Sequence, residues 1–398
     1  MYPRYVSFYN EETLCEEMKK IGADEAGIRI MAPKGKFYAV KVLEVPLKAA
    51  LILKQEMLSK GGEVVLPLQA STLSVEKVDV LIMGTFKQYK ELINKLKIQP
   101  FGLKKLGIAI EKLLKNLTEK QTCLRLGEFT FPLGKRTLIM GILNVTPDSF
   151  SDGGKFLSKE KALYQAEKMV KEGADIIDIG GESTRPGSTP ISEEEELARV
   201  IPIIEVLSSK IEVPISIDTY KSRVAKEAVK SGAKMINDVW GLKKDPNIAT
   251  VVSRYQVPVC IMHNRVVPKY NDLMSDIILD LQESIDIASE AGIDLKNIII
   301  DPGIGFAKNL KENLEVMRRL EELKTLGRPI LLGSSRKSMI GKTLDLPVNE
   351  RIEGTAATVA YGITKGVDIV RVHDVQTMVR VARMTDAMLR GEEGIEER

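Results

Sequence analysis

The sequence has few of the residues on which several classes of protein depend. Its 398 residues include three cysteines, Cys15, Cys123 and Cys260, and two histidines, His263 and His373. An odd number of widely spaced cysteines predicts neither a disulfide framework nor a zinc site, so we expect each to be a small buried side chain. No Ser or Cys stands in a nucleophile-elbow motif, and the sequence therefore shows no catalytic triad.

The sequence also lacks a strong charge bias and long apolar runs. Lys and Arg number 58 and Asp and Glu 55, so the net charge is +3, which is too small to indicate a nucleic-acid or membrane partner. No apolar run approaches the ~20 residues that span a bilayer. The first residues, MYPRYVSFYNEE, contain no apolar signal-peptide core. We therefore expect a cytoplasmic protein that acts on small molecules.

What is present is a length of 398 residues, more than one ordinary domain needs, with 44% apolar residues to form a full core. We predict a first domain, residues 1–123, of α/β or α+β class, with strands at 37–45, 63–67 and 78–84 and helices at 47–58, 88–96 and 103–117. It shows no glycine-rich phosphate loop, metal spacing or catalytic pair, which favours a structural or oligomerisation role. Residues 124–133 alternate around Gly127-Glu128 and predict a hairpin that closes the bottom of the next domain.

From residue 137 to residue 398 the pattern becomes a regular alternation of strands and helices. Eight strand–helix units fit into these 262 residues, close to the ~250 of a closed (β/α)₈ barrel. Ser192 with Glu195 predicts a capping box at one helix start. The predicted fold is thus a (β/α)₈ TIM barrel, residues 124–398, preceded by the smaller domain.

Polar side chains follow every predicted barrel strand, whereas the opposite ends offer mostly Gly, Ala, Val and Pro. The strand ends carry Asn144, Glu182 to Arg185, Asp218, Asn237-Asp238, Met262-His263, Asp301, Ser334 to Lys337, and Arg371 with His373-Asp374. Active sites of this fold lie at the carboxyl ends of the strands. Charged groups gathered on one rim need a ligand to satisfy them, so we predict the site there.

The strand-end residues divide into two chemical groups. Asp218, Asn237 and Asp301 offer acceptors and an amide that suit a flat heterocycle with several N–H donors, such as an aminopyrimidine, and Lys337 can donate beside them. The second group comprises Asn144, Arg371 and His373, on the first and eighth strands, which suit an anion such as diphosphate. Other roles stay open, because an Asp after a strand also serves as a helix cap and His263 could simply line the mouth. The loops at 146–156 and 183–191 are predicted to be mobile lids.

Seven motifs at these strand ends resemble those of a known family. They are MGILNVTPDSFSDGG (140–154), DIGGESTRPGS (178–188), SIDTYKSRVAKEA (216–228), INDVWG (236–241), DPGIGFAKN (301–309), LLGSSRKSMIG (331–341) and VRVHDV (370–375). Together they resemble dihydropteroate synthase of folate biosynthesis, over residues 124–398. The resemblance implies that 4-aminobenzoate is joined to 6-hydroxymethyl-7,8-dihydropterin diphosphate, releasing diphosphate and 7,8-dihydropteroate with Mg²⁺ assisting, in a homodimer.

The resemblance also implies a role for each matching residue. It places the pterin on Asp218, Asn237, Met262, Asp301, Phe306, Gly333 and Lys337. It places diphosphate on Asn144, Thr184, Arg371 and His373, with Mg²⁺ at Asn144. It places 4-aminobenzoate among Thr184, Arg185, Pro186, Phe306, Lys337 and Ser338. The residues implied in catalysis are Asn144, Asp218, Asp301, Lys337, Arg371 and His373.

Two departures and two alternatives accompany the resemblance. Asn264-Arg265-Val266-Val267 replaces the Met-Gln-Gly continuation that is more usual after the fifth strand, and the first 123 residues lie outside the family's usual domain. A methyltetrahydrofolate:corrinoid methyltransferase shares the barrel but should lack Arg371-Val372-His373 and the Ser-Arg-Lys-Ser run, both present here. A decayed, non-catalytic pterin-binding protein should have lost at least one implied catalytic residue, and none is missing.

Overall fold

The computed structural model describes residues 1–8, 11–119, 121–145, 155–182 and 189–391. Contacts divide the chain into two compact units, Met1–Lys115 and Asn116–Arg398. The boundary expected from the sequence lies between residues 123 and 124. The two predicted lid loops fall largely outside the described residues, at 146–154 and 183–188.

The described part of the first unit contains helices and a small antiparallel sheet. Its elements are α1 (Glu11–Lys20), α2 (Glu25–Gly35), β1 (Phe37–Pro46), α3 (Leu47–Leu58), β2 (Glu63–Val65), β3 (Lys77–Thr85), α4 (Phe86–Leu96) and α5 (Leu103–Thr118). The strand order is β1-β3-β2. The predicted strands and helices are confirmed, whereas α1 and α2 were not predicted. Helix α2 contains Pro33 and ends at Gly35, which weakens its sequence signal.

The interior of the first unit is apolar. Its largest fully buried side chains include Tyr89, Leu53, Met57 and Ile82. The Tyr89 hydroxyl donates to the carbonyl oxygen of Ile82 at 2.7 Å, so this polar tip is satisfied. Among the described residues of this unit no charged side chain is buried.

The second unit is an eight-stranded parallel barrel preceded by a hairpin. In chain order its elements are β4 (Cys123–Leu126), β5 (Phe129–Pro132), β6 (Leu138–Asn144), α6 (Lys155–Lys171), β7 (Ile176–Gly180), α7 (Glu193–Ser208), β8 (Ile215–Asp218), α8 (Ser222–Lys230), β9 (Met235–Asp238), α9 (Asn247–Tyr255), β10 (Val259–Met262), α10 (Leu273–Glu290), β11 (Ile298–Asp301), α11 (Leu310–Arg318), β12 (Leu331–Leu332), α12 (Ser338–Leu344), α13 (Ile352–Thr364), β13 (Ile369–Val372) and α14 (Val375–Arg390). The strand order is β11-β10-β9-β8-β7-β6-β13-β12, and a parallel bridge between Ile300 and Ile330 joins its two ends. The predicted barrel is confirmed.

Successive side chains along each barrel strand alternate between two apolar layers, as the two-residue period of a strand requires. One set, for example Ile139, Ile177 and Ile217, belongs to the core that packs against the helices. The other set lines the barrel interior and forms a separate cluster of Leu138, Met140, Ile176, Met235, Cys260, Ile299, Leu331 and Ile369. Leu124, Leu126 and Leu133 of the β4–β5 hairpin belong to the same cluster, which confirms that the hairpin closes the bottom.

A few local predictions were wrong. Helix α11 ends at Arg318 and is followed by a 3₁₀ helix, Leu320–Leu326, and neither this 3₁₀ helix nor the short α12 was predicted. Cys123 is exposed rather than buried. At the start of α7 the Ser192 side chain accepts from the Glu195 amide, but the Glu195 carboxylate pairs with Arg199 instead of completing the capping box. Across the described ranges, no helix combines the length and hydropathy needed to cross a membrane.

Candidate active site

The alternation of the strands carries the predicted site residues into the barrel mouth. Asp218, Asn237, Met262, Asp301 and Arg371 each belong to the inward-facing set. Asn237, Met262, Asp301, Gly333 and Arg371 each stand two residues beyond a member of the apolar interior layer, Met235, Cys260, Ile299, Leu331 or Ile369. Because inward-facing residues recur at every second position, the apolar floor and the polar mouth are successive layers of one interior.

On one side of the mouth Arg371 joins two carboxylates. Its Nε donates to Asp178 Oδ2 at 2.6 Å, and its Nη2 donates to Asp218 Oδ2 at 2.6 Å. Asn237 Nδ2 donates to the same Asp178 oxygen at 3.1 Å. Asp178 is fully buried and Asp218 is 6% exposed, so these pairs lie in a poorly solvated environment where a lost partner is costly.

Sequence reasoning missed Asp178. The signal was available, because a carboxylate in the middle of the buried strand Ile-Ile-Asp-Ile-Gly needs a partner. Arg371 was expected to bind an anion with Asn144 and His373, and the structure shows its guanidinium already paired with Asp178 and Asp218. The role of Arg371 as an anion ligand stays a prediction.

Several buried polar atoms on this side of the mouth have no hydrogen-bond partner. Among the described residues these include Asp178 Oδ1, Asp218 Oδ1 and Ser216 Oγ, all of them buried. Burial raises the pKa of Asp218 to about 7, although the charge of Arg371 acts in the opposite direction. Unpaired buried acceptors are costly unless a ligand supplies donors, so this wall of the mouth has the character of a binding surface for N–H groups.

On the other side of the mouth Asp301 begins a short loop. Its Oδ1 accepts from the amide of Gly303 at 2.7 Å. Burial raises the pKa of the Asp301 carboxyl, and the Gly303 hydrogen bond and the charge of Lys337 oppose that rise. A Cβ placed on Gly333 would lie 3.7 Å from Asp301 Oδ2, so Gly333 leaves open space beside this carboxylate.

Lys337 and Phe306 stack at the edge of this side. The Lys337 ammonium lies 4.2 Å from the centre of the Phe306 ring, within cation–π range. Gly305, which precedes Phe306 in the chain, has φ +83°, in a region that favours glycine. A Cβ on Gly305 would lie 3.1 Å from Lys337 Cδ. Ser338, the first residue of α12, is exposed. The structure therefore brings Asp301, Phe306 and Lys337 together, as predicted for one substrate pocket.

Asn144 ends β6, and His373 directly follows the adjacent strand β13. A Cβ on Gly180 would lie 3.6 Å from Asn144 Oδ1 and 3.8 Å from Asp218 Oδ2, so this glycine leaves space between the two side chains. His373 Nδ1 lies 2.9 Å from Ser335 Oγ, and the His373 amide donates to that oxygen at 3.2 Å. A neutral His373 whose Nδ1 accepts from the Ser335 hydroxyl carries its proton on Nε2.

His263, whose role the sequence left open, is packed below the surface of the mouth. It is 2% exposed, with Nε2 at 3.1 Å from Asp280 Oδ2 and Nδ1 at 2.8 Å from Lys308 Nζ. Burial lowers the pKa of His263 to about 4. In the loop after β10, Arg265 Nε donates to Asp280 Oδ2 at 2.5 Å. The unusual Asn264–Val267 segment thus anchors to α10.

Asp238 illustrates the structural role that an Asp after a strand can take. Its carboxylate accepts from the amides of Trp240 and Leu242 at 2.8 and 2.7 Å. Burial raises its pKa to about 6. Both oxygens are used within its own loop, so Asp238 holds the backbone beside Asn237.

Three residues predicted to bind substrates, Thr184, Arg185 and Pro186, lie outside the described residues. The residues that flank that segment are well held. Lys221 Nζ donates to Glu182 Oε2 at 2.6 Å, to Glu196 Oε2 at 2.7 Å and to the carbonyl oxygen of Ile191 at 2.7 Å. One buried lysine therefore ties the end of β7 to the start of α7.

The barrel unit of the chain is similar to known proteins. The family model "Pterin binding enzyme" matches residues 140–373, more than half of the chain. A dihydropteroate synthase from Bacillus subtilis is 60% identical over 255 residues, which are 64% of this chain and 90% of that protein.

Solved structures give the same result. A Clostridium difficile dihydropteroate synthase, solved in the presence of pteroic acid, is 56% identical with a TM-score of 0.64, and the match covers 65% of this chain and 99% of that one. A Xanthomonas albilineans dihydropteroate synthase with 4-aminobenzoic acid is 40% identical with a TM-score of 0.65, covering 68% and 98%. In each case the similarity covers nearly all of the known structure.

Proposed function

The chain belongs to the dihydropteroate synthase family of pterin-binding enzymes and is a transferase of folate biosynthesis, and from this we propose which of its residues perform each part of the reaction. The reaction joins the amine of 4-aminobenzoate to the methylene carbon of 6-hydroxymethyl-7,8-dihydropterin diphosphate. The C–O bond breaks with its electron pair leaving on diphosphate, a C–N bond forms, and the amine loses one proton.

The pterin binds between the two sides of the mouth. The observation that carries this placement is the set of buried unpaired acceptors, Asp178 Oδ1 and Asp218 Oδ1, beside Arg371. The aminopyrimidine edge of a pterin offers several N–H donors, which match such acceptors. Asp301 accepts on the opposite side, Asn237 adds an amide, and the remaining contacts come from Met262, Phe306, Gly333 and Lys337. The ring system then replaces the water that these polar atoms would otherwise need.

The diphosphate binds at the end of the mouth formed by β6 and β13. Asn144 supplies an amide there, and the Nε2–H of His373, fixed by Ser335, supplies a second donor. Arg371 lies on the boundary of the two subsites and Thr184 completes the predicted anion site. Donors placed where negative charge accumulates on the leaving group lower the barrier for breaking the C–O bond.

Members of this family generally use Mg²⁺, and the residues at β6 fit a role in holding it. In the described part of the chain no group of three or more His, Cys, Asp or Glu residues is positioned to hold a metal ion. Mg²⁺ is often held by substrate phosphates and water with few protein ligands, and the Asn144 carboxamide oxygen is the hard donor available here. When bound, the ion supplies positive charge to the leaving diphosphate.

The amine attacks without a dedicated base. An aromatic amine is a nucleophile in its neutral form, so positioning matters more than deprotonation. Phe306, Lys337 and Ser338, with Thr184, Arg185 and Pro186, are proposed to hold 4-aminobenzoate. Asp218 and Asp301, in contact with the pterin N–H edge, stabilise the positive charge that develops on the ring as diphosphate leaves.

Three further features are proposed: a homodimer from the family resemblance, and a cytoplasmic location and the role of the first unit from the sequence. The protein is a cytoplasmic homodimer, and the described outer surface of α14 exposes two large apolar side chains, Met384 and Met388. The first unit has a structural or oligomerisation role. Light scattering of the purified chain tests the dimer, and a mass of 44.2 kDa for the particle, that of one chain, would contradict it.

Turnover with radiolabelled 4-aminobenzoate tests the assigned pocket. The purified chain is incubated with dihydropterin diphosphate and Mg²⁺, and labelled dihydropteroate is measured. Replacement of Asp218 by Asn removes a charge and preserves shape, so product formation should fall at least a hundredfold. Glu227→Gln, a partly exposed control on α8 that pairs with Lys230, should keep the wild-type rate. Equal rates for wild type and Asp218→Asn would reject the pocket.

A further inference from the structure

The 302–309 loop, which follows β11, is held in an unusual backbone conformation. Gly303, Gly305 and Ala307 have φ values of 68°, 83° and 48°, in the left-handed region that residues other than glycine rarely adopt. A Cβ on Gly303 would lie 2.0 Å from the carbonyl oxygen of His263. A loop of this kind persists where its surroundings over-determine it, and the neighbouring side chains supply that constraint.

Lys308 makes three contacts that constrain the loop. Its Nζ donates to the carbonyl oxygens of Gly303 and Phe306 at 3.0 and 3.1 Å and lies 2.8 Å from His263 Nδ1. Three acceptors match the three N–H groups of an ammonium, whereas a neutral amine has two and would leave one acceptor unpaired. The geometry is therefore that of a charged Lys308.

The tautomer of His263 follows from its other contact. Hydrogen bonds and the charge of Arg265 outweigh burial and hold the pKa of Asp280 far below its usual value, so Asp280 is an acceptor. The proton of the neutral imidazole is then on Nε2, which donates to Asp280 Oδ2, and Nδ1 accepts from Lys308. His263 thus fixes Lys308 from the side away from the loop.

Two other side chains hold the same loop. The Tyr270 hydroxyl donates to the carbonyl oxygen of Ala307 at 2.7 Å. Asn313 accepts from the Gly305 amide at 2.7 Å and donates to the Lys308 carbonyl at 3.0 Å. Lys308 differs from both because burial lowers its pKa to about 7, so its hydrogen-bonding capacity changes near neutral pH.

We propose that Lys308 is a positioning residue for pterin binding, which sets the backbone that presents the Gly303 amide to Asp301 and the Phe306 ring to the substrate. The inference rests on the proposed placement of the pterin against Asp301 and Phe306. Lys308 does not need to touch substrate for this role. It acts through the two carbonyl groups that it holds.

The proposal predicts how pterin affinity depends on pH. The charged groups that face Lys308 are Asp301 on β11, Glu312 on α11, Asp280 on α10 and Arg265 after β10, and the neutral His263 completes its surroundings. Burial outweighs the three carboxylates and lowers the pKa of Lys308. As the pH rises through about 7, the amine loses one N–H, one loop contact is lost, and pterin affinity falls.

The first test uses the wild-type chain and its low histidine content. With two histidines in the sequence, ¹⁵N-histidine labelling gives imidazole signals from His263 and His373, and the His263→Asn variant assigns them. We expect His263 to remain the neutral Nε2–H form from pH 5 to 8, with an Nδ1 shift that follows a titration near pH 7. Protonation of His263 near pH 6.5, or a proton on Nδ1, would overturn the proposal.

The second test measures binding of dihydropterin diphosphate with Mg²⁺ by calorimetry. Lys308→Met should raise the Kd at least tenfold at pH 6.5 and abolish the wild-type loss of affinity above pH 7. The exposed Lys311→Met variant, which removes a lysine at the start of α11, should match the wild type in both respects. Wild-type affinity or a wild-type pH profile in Lys308→Met would overturn the proposal.

A third comparison uses two replacements of His263. Asn places an acceptor near the position of Nδ1, and Gln places one near Nε2. His263→Asn should therefore retain more pterin affinity than His263→Gln, whereas equal losses would contradict a role through Lys308.

Asp301→Asn separates the proposed placement of the pterin from the positioning role of Lys308. If it leaves affinity unchanged, the pterin placement fails, and if it weakens binding while Lys308→Met does not, the positioning role alone fails.

Discussion

On the side of the mouth formed by β7, β8 and β13, the charged side chains contact opposite charges, whereas on the side formed by β10 and β11 the charged groups of Asp301 and Lys308 contact neutral groups. We call the first the paired side, comprising Asp178, Asp218, Arg371, Glu182, Glu196 and Lys221. The second, the neutral side, comprises Asp301, which accepts from a backbone amide, and Lys308, which donates to two carbonyls and a neutral imidazole.

Lys221 and Lys308 show what this difference does. Burial lowers the pKa of Lys221, but its hydrogen bonds to Glu182 and Glu196 outweigh burial and the pKa is raised. For Lys308 burial prevails and the pKa falls to about 7. In the described part of the chain Lys308 makes no ion pair. The identity of the contacting groups therefore decides whether a buried lysine is a permanent charge or one that titrates near neutral pH.

Breaking the central pair on the paired side should have the largest effect. Arg371→Met leaves Asp178 and Asp218 buried and uncompensated, which costs about 3–5 kcal/mol of unfolding free energy. Turnover should fall below detection because the site loses the cation that holds Asp178 and Asp218 in place. Urea unfolding and turnover measure the two effects, and a variant with wild-type stability would show that the pair contributes nothing.

Removing Lys221 should destabilise the fold by about 3 kcal/mol at pH 7, because Glu182 and Glu196 lose their shared cation. Burial already raises the pKa of Glu196. The defect should therefore shrink as the pH falls through the folded pKa of Glu196, since the protonated form needs no cation. Urea unfolding of Lys221→Met from pH 7 to 5 measures this. Adding Glu196→Gln should restore part of the stability, and a failure to do so would contradict the pairing.

On the neutral side, the lowered pKa of Lys308 should make the unfolding free energy of the wild type rise with pH. Its folded pKa of about 7 lies below the ~10.4 of the unfolded chain. Between these values the unfolded state binds the extra proton, so the unfolding free energy of the wild type gains up to about 1.4 kcal/mol per pH unit from this residue. The gain should be missing in Lys308→Met. Parallel slopes for the two proteins between pH 7 and 9 would contradict a lowered pKa.

The smallest effects should come from substitutions that add a methyl group on either side of the mouth and leave the charges of the mouth unchanged. A Cβ on Gly180 meets Asn144 Oδ1 at 3.6 Å, and one on Gly333 meets Asp301 Oδ2 at 3.7 Å, both ordinary contacts. Gly180→Ala and Gly333→Ala should keep the unfolding free energy within about 1 kcal/mol of the wild type. Both should raise the KM for dihydropterin diphosphate severalfold. An unchanged KM in either variant would place that glycine outside the pocket.

Much of the barrel and its mouth could be predicted because both follow from local pattern. The eight strand–helix units are periodic, and a polar residue at the end of an apolar strand must lie at the mouth once the strands are parallel. Asn144, Asp218, Asn237, Asp301, Arg371 and His373 were all found in this way. The helices α1 and α12 were not predicted, since α1 is predominantly polar and α12 has seven residues.

The sequence by itself determined the barrel, the polar rim and the family, because hydrophobic period and strand-end chemistry are properties of consecutive residues. Tertiary structure alone decided which charges meet. Arg371 is 193 residues from Asp178 and 153 from Asp218, and Lys308 is 45 residues from His263. Such contacts form when distant strands come side by side in the closed barrel, and burial then sets the pKa values of the groups. The strand pattern brings a lysine to the mouth, and its neighbours in space decide whether it stays charged.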